Sequence, residues 1–181
     1  MNSINIQFYK TKYAEFILGS FDNKLCMLDY RYRIRRDAVD SRIKSGLGVV
    51  DFAEKDNEVL QLTRSQLDEY LIGKRKNFDI PLLTVGTDFQ RQVWQALINV
   101  PYGKTLSYLE LARNIGSEKA VRAVAAANGA NAISIIIPCH RIIGSNGELT
   151  GYAGGLPLKK TLLKLEGALN SGLMETVNMF P

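Results

Sequence analysis

Cys139 sits in the run Pro138-Cys139-His140-Arg141, directly after Ile135-Ile136-Ile137, and pairs a thiol with the only histidine of the chain. A thiolate is the reactive form of cysteine, and the neighbouring cationic and imidazole groups favour it, so this stretch reads as a nucleophile with a possible base. Pro138 breaks the strand-like apolar run and forces a bend at the thiol. Adjacent side chains diverge, so Cys139 and His140 need not touch, and a bridging water is the expected route for a proton. Glu166 lies near the end of a helical pattern, where a carboxylate faces the negative pole of the helix dipole. Such a group either stays exposed or needs a compensating partner, and His140 is the only imidazole that can serve. Cys26, the second of two cysteines, lies between Leu25 and Met27 and reads as a small buried hydrophobe. One histidine and no cysteine pair at ligand spacing make a metal site unexpected, and no glycine-rich phosphate or dinucleotide fingerprint appears. No cofactor is expected.

Two regions must position these groups. In the first, Ile4 to Phe8 alternates apolar with polar, and Glu15-Phe16-Ile17-Leu18 and Leu25-Cys26-Met27-Leu28 are short apolar runs between turn residues, which predicts three strands in a meander. Arg31 to Lys44 is a charged helix or loop. Val59, Leu62, Leu67, Tyr70 and Leu71 then recur at helical spacing up to Gly73. Lys74-Arg75-Lys76 is either a basic patch or a solvated helix end suited to the dipole.

Gly86 marks a boundary, which divides the chain into 1–85, a sheet-plus-helix domain, and 86–181. Thr87 with Gln90 forms a capping box for a helix carrying Phe89, Val93, Trp94 and Leu97, and Ser107 with Glu110 forms a second, for a helix that Gly116 closes. Ser117 can cap a third helix, from Glu118 to about Asn128, which follows with almost no linker. Two short helices joined this tightly predict a helix-turn-helix. Ala120, Val121, Val124 and Ala125 are expected to face inward, and Arg122, Ala123, Ala126 and Ala127 outward. That small-residue face could let the backbone approach a nucleic-acid groove with Arg122 protruding, or could simply reflect high helix propensity and close packing. Pro157 opens a last helix, packed through Leu158, Leu162, Leu163 and Leu165 and ended by Gly167.

The chain of 181 residues is long enough to bury a sizeable core, and 46% hydrophobic residues fit a globular protein. A net charge of +5 permits an acidic partner without identifying one. No apolar run approaches a membrane span, and the N-terminus lacks a secretory pattern, so a cytoplasmic protein with free thiols is expected.

As a set, these residues resemble the O6-alkylguanine-DNA alkyltransferases. The likeness rests on Phe89-Gln90 with Val93-Trp94, Pro101-Tyr102-Gly103 with Thr105, Ser107-Tyr108, Arg122-Ala123-Val124, Asn131, Ile137 to Ile143, Gly151 to Gly155, and Glu166-Gly167. It spans Gly86 to Gly167 in order and spacing. The first half matches mainly in its strand-then-helix layout. The resemblance implies an α/β protein: an N-terminal ribonuclease-H-like mixed sheet domain, then a mostly helical C-terminal domain with the helix-turn-helix and the thiol. It further implies a single-turnover repair protein that binds double-stranded DNA as a monomer. O6-alkylguanine, and by extension O4-alkylthymine, would be flipped out, and the alkyl group would pass irreversibly to Cys139.

By the same likeness Ser107, Arg122, Ala123, Ala126 and Ala127 meet DNA, with Arg122 filling the place of the extruded base. Glu166 orients His140, which helps form the thiolate through water, Asn131 orders the bend, and Tyr108 protonates the departing base. Tyr108, Ile142, Tyr152, Ala153 and Gly154 line the pocket. Ala153 stands where some relatives carry serine, and no counterpart of an N-terminal zinc site is present. Two other readings compete: a DNA-binding protein that senses lesions without chemistry, and a cysteine hydrolase built on Cys139 and His140.

Overall fold

The computed structural model describes residues 3–169. The chain forms two compact units, Met1–Arg91 with Ala132–Ile136, and Gln92–Asn131 with Ile137–Pro181.

In the first unit, β1 (Ile4–Lys10), β2 (Glu15–Phe21) and β3 (Lys24–Tyr30) form the meander, antiparallel throughout. After α1 (Arg36–Leu47) a three-residue strand, β4 (Phe52–Glu54), joins β1 in parallel, giving the order β3-β2-β1-β4 and making the sheet mixed. β4 is too short for periodicity to reveal. The charged stretch after β3 resolves into a loop and α1, whose Val39 and Ile43 pack with Ile4, Ile6, Ile17 and Met27 on one sheet face. Cys26 belongs to that cluster, and burial pushes its thiol up to about 12, which leaves it protonated and inert. α2 (Glu58–Leu71) lies against β1, β2 and β3 and starts at Asn57, whose side chain accepts from the Leu60 N–H at 3.0 Å. The Lys74-Arg75-Lys76 run follows α2, where Arg75 pairs with Glu69 at 2.6 Å and Asp79 at 3.5 Å.

The outer edge of β3 is covered by two short segments. Leu25 N–H donates to Pro81 O and Leu83 N–H to Leu25 O, while Leu28 N–H donates to Ala132 O and Ser134 N–H to Leu28 O. Ile133 makes a parallel bridge with Leu28. Apart from that bridge, Ile133 to Ile137 forms no strand: the chain turns, and Ile135 takes a left-handed φ of 72°. The strand-like apolar run is therefore buried loop.

Both expected capping boxes are present. Thr87 and Gln90 bond reciprocally at 3.0 and 3.1 Å at the start of α3 (Asp88–Ile98), and Ser107 and Glu110 do so at 2.6 and 3.1 Å at the start of α4 (Tyr108–Asn114). In the second unit Val93, Trp94 and Leu97 are buried, and the indole N–H of Trp94 donates to Ala127 O at 2.8 Å. The two-residue strands β5 (Leu106–Ser107) and β6 (Ile142–Ile143) pair in parallel and set the start of α4 beside the segment after Cys139. Ser117 does not cap by its side chain; a 3-10 turn over Glu118–Ala120 leads instead into α5 (Val121–Gly129). α6 (Leu156–Leu165) has Pro157 in its first turn and ends in Glu166 and a left-handed Gly167.

Gly46, inside α1, has no room for a side chain, since an added Cβ would fall 2.3 Å from Val85 Cγ1. Glycine-to-alanine in a helix normally gains about 1 kcal/mol. Here Gly46→Ala is expected to destabilise by about 1–3 kcal/mol through overpacking. Urea unfolding should show this loss and its partial recovery in Gly46→Ala/Val85→Ala.

Candidate active site

The bend carrying Cys139 is built from Asn131. Its side-chain N–H group donates to Ile137 O at 2.8 Å and to Cys139 Sγ at 3.2 Å, so one amide fixes both backbone and sulfur. Pro138 precedes a 3-10 turn, Cys139–Arg141, closed by Arg141 N–H to Pro138 O at 3.0 Å. The thiol is only 5% exposed.

Within that turn the side chains diverge. His140 and Arg141 both run to Glu166, whose carboxylate is buried at the end of α6. His140 Nε2 lies 2.7 Å from Glu166 Oε1, while Arg141 donates from Nε to Oε2 at 2.8 Å and from a terminal nitrogen to Oε1 at 2.9 Å. The second terminal nitrogen of Arg141 donates to Val100 O at 2.6 Å. Gly103 N–H adds a long contact to Oε2 at 3.4 Å. Burial alone would raise the Glu166 carboxyl, yet His140 and Arg141 hold it down at about 2. Burial lowers the affinity of His140 for a proton; Glu166 opposes this, while Arg141 and Lys159 add to it. A neutral ring that donates from Nε2 to the carboxylate has Nδ1 as its basic nitrogen.

Lys159 is fully buried, and its ammonium donates to Ile142 O, to Thr150 O at 2.8 Å and to Gly151 O at 3.4 Å. Burial pushes it down to about 8, and the negative charge of an ionised Cys139 acts in the opposite sense. The Tyr108 hydroxyl also donates to Thr150 O, at 3.1 Å. Burial raises the Tyr108 phenol and the Cys139 charge adds to this, so the phenol keeps its proton at neutral pH. Tyr152 meets His140 edge-on, ring centres 6.5 Å apart. Ala153 and Gly154 are half-buried between Tyr152 and a left-handed Gly155.

The structure bonds Asn131 to Cys139 and His140 to Glu166, two pairs made adjacent by the Cys139–His140 peptide, while Tyr108 and Lys159 share Thr150 O and Lys159 also holds the Ile142 and Gly151 carbonyls. Arg122, Ala123 and Ala126 are exposed on α5, as expected. Ala127 is not: it is 3% exposed, because it faces Trp94 and its carbonyl takes the indole N–H. It is removed from the outward face. The Ser107 hydroxyl is engaged in its capping box. Sequence reasoning missed the Arg141 clamp and Lys159 altogether. A signal existed for the second, since Lys159, Leu162, Leu163 and Glu166 share the i, i+3, i+4, i+7 face of α6, which places two charges on a buried stripe.

Residues 4–84 match the family model for the ribonuclease-like domain of 6-O-methylguanine DNA methyltransferase, and residues 88–168 match the model for its DNA binding domain. The chain is 50% identical over 125 residues to a methylated-DNA–protein-cysteine methyltransferase of Methanosarcina acetivorans, covering 69% of this chain and 80% of the relative. It is 50% identical over 117 residues to the inducible methylated-DNA–protein-cysteine methyltransferase of Bacillus subtilis, covering 65% of each chain. Its fold is similar to that of Mycobacterium tuberculosis OGT in a crystal structure with DNA, with a TM-score of 0.76, 36% identity, and coverage of 91% of this chain and 93% of that one. No helix among the described residues is long and apolar enough to cross a membrane.

Because the folded pKa of Glu166 lies below its unfolded value, its contribution to stability is present above about pH 4.5 and is lost as pH falls toward about 2. Glu166→Gln leaves Arg141 buried without its anion and is expected to cost about 3–5 kcal/mol. Urea midpoints taken across that acid window should fall steeply for the parent protein and more gently for the variant. Parallel slopes would remove Glu166 as the group responsible.

Proposed function

The chain belongs to the 6-O-methylguanine DNA methyltransferase family, and on that premise we propose that it repairs duplex DNA by drawing the alkyl group of O6-alkylguanine irreversibly onto Cys139. The single observation that carries this reading is the Cys139 sulfur held by the Asn131 amide beside a His140–Glu166 pair. Nδ1 of His140 takes the thiol proton through a water, Glu166 steadies the imidazolium so formed, and the Asn131 N–H and Lys159 ammonium favour the thiolate. The sulfur lone pair then forms a bond to the alkyl carbon as the carbon–O6 bond breaks, and its electrons pass to guanine. Tyr108 protonates the departing base and is itself reprotonated from the imidazolium or solvent. The product is a thioether with no hydrolytic exit, so each molecule acts once. This is methylated-DNA–protein-cysteine S-methyltransferase activity without turnover, and no metal or cofactor enters the scheme. O4-alkylthymine presents the same electrophilic carbon and is included as a second substrate.

On this reading, residues 86–181 bind DNA and accept the alkyl group, and 1–85 form the accompanying sheet domain. Arg122, protruding from the small exposed face that Ala123 and Ala126 share, enters the duplex in place of the extruded base, and the Ser107 end of α4 lies against the DNA backbone. The carbonyl-gathering Lys159 holds Ile142 and the loop before Tyr152, Ala153 and Gly154 as pocket walls. The protein acts as a monomer in the cytoplasm, where thiols stay reduced.

Incubation with an oligonucleotide carrying O6-methylguanine is expected to add one methyl group per molecule, mapped to Cys139 by intact and peptide mass spectrometry, and none in Cys139→Ala. Repaired DNA formed in excess over protein would mean turnover and a hydrolase-like chemistry instead. Arg122→Ala should slow repair of the duplex by roughly 10- to 100-fold, since flipping costs a few kcal/mol, while leaving reaction with O6-benzylguanine as a free base nearly unchanged. Equal slowing on both substrates would take Arg122 out of the flipping step.

A further inference from the structure

The residues that link α3 to β5 converge on Glu166 and its partner Arg141, and the reaction scheme assigns them no step. Val100 O accepts from Arg141 at 2.6 Å, the Gly103 N–H reaches Glu166 Oε2 at 3.4 Å, and the Tyr102 hydroxyl donates to Leu165 O at 3.3 Å. The guanidinium carbon of Arg141 also stands 5.7 Å from the centre of the Tyr102 ring. A tight turn allows this approach: Lys104 N–H donates to Pro101 O at 3.1 Å, and Gly103 is left-handed at a φ of 78°. A Cβ added at Gly103 would fall 2.9 Å from Glu166 O, so the backbone of the turn packs directly on that of Glu166.

Tyr102 thus touches both halves of the ion pair. Its hydroxyl engages the carbonyl immediately before Glu166, one of the helix-end acceptors whose negative field opposes the carboxylate. Its ring faces the guanidinium that holds the same carboxylate, within cation–π range. Burial raises the Tyr102 phenol, the Glu166 charge raises it further and Arg141 lowers it, so the phenol senses both partners. Glu166 in turn favours a proton on His140, while Arg141 and Lys159 act against it. A carboxylate that drifts from Nε2 leaves the imidazolium less stabilised, and the Cys139 proton is then harder to remove.

We infer that Tyr102 is a positioning residue for formation of the Cys139 thiolate, acting through Arg141 and Glu166. Its place in the reaction rests on the alkyl-transfer reading above, in which that thiolate attacks the alkyl carbon. The stretch that carries Tyr102 runs on through β5 into Tyr108 at the start of α4, so one connection links the groups that deprotonate the thiol to the phenol that protonates the departing base.

The test is the pH dependence of Cys139 alkylation by iodoacetamide in the full-length protein, read by peptide mass spectrometry, beside single-turnover methyl transfer from an oligonucleotide carrying O6-methylguanine. Tyr102→Leu removes both the ring and the hydroxyl. It is expected to raise the midpoint of thiol alkylation by about half a unit or more, which slows both reactions roughly threefold at a pH below the midpoint. Tyr102→Phe keeps the ring against Arg141 and should recover most of the shift and of the lost rate. Tyr102→Gln, a polar replacement suited to a half-buried turn, also removes the ring and keeps the test decisive if Tyr102→Leu does not fold. Midpoints equal to the parent's in the variants without a ring would overturn the positioning role, and slower transfer at an unchanged midpoint would reduce Tyr102 to support of the fold. A shifted midpoint in those variants with no methyl transfer in the parent would support the positioning role and overturn the proposed function alone.

Discussion

A carboxylate sealed from water at the wrong end of a helix is the constraint on which the second unit depends. The last carbonyls of α6 repel the Glu166 charge, and burial adds to the cost. The chain meets both by converging on it: Arg141 with two parallel donors, His140 with one, and the Gly103 amide at longer range. Because His140 and Arg141 are consecutive with Cys139, satisfying one carboxylate fixes the whole turn that presents the sulfur. Arg141 also ties that turn to Val100. The ion pair is thus structural and chemical at once, since the anion that stops the imidazole drifting is the same one that can stabilise its protonated form.

Lys159 imposes a second constraint of the same kind. A buried ammonium tolerates its position by collecting carbonyl oxygens, and those it collects come from Ile142, Thr150 and Gly151. Strand β6 and the 150–151 loop are thereby drawn to one point. Thr150 O serves Lys159 and Tyr108 together, so one carbonyl ties the phenol to the ammonium.

How much of this was legible in the sequence depended on whether the cause was local. The three-strand meander, α2, the two capping boxes and the end of α6 follow from periodicity and cap chemistry within a few residues. The pairing of His140 with Glu166 was reachable because an acid at a helix C-terminus demands an explanation and one imidazole was available. β4 was not, because three residues carry no period. The Ile135 run looked like a strand because apolar runs do, yet its backbone turns through a left-handed residue. Ala127 was placed on the wrong face because an alanine gives no amphipathic signal, and the indole that claims its carbonyl comes from a helix more than 30 residues earlier. Lys159 was overlooked because lysine is read as surface by default, even on a stripe otherwise made of leucine.

The sheet of the first unit has consequences beyond its own packing. Its β3 edge is occupied by residues 81–83 and 132–134, and at the opposite edge β4 covers the start of β1. The open remainder of β1 ends in Lys10, with the Arg31 guanidinium laid over Phe8. Short, occupied or cationic edges give a neighbouring polypeptide little ladder to extend. Edge-to-edge pairing of this sheet with that of a neighbouring copy is thereby disfavoured.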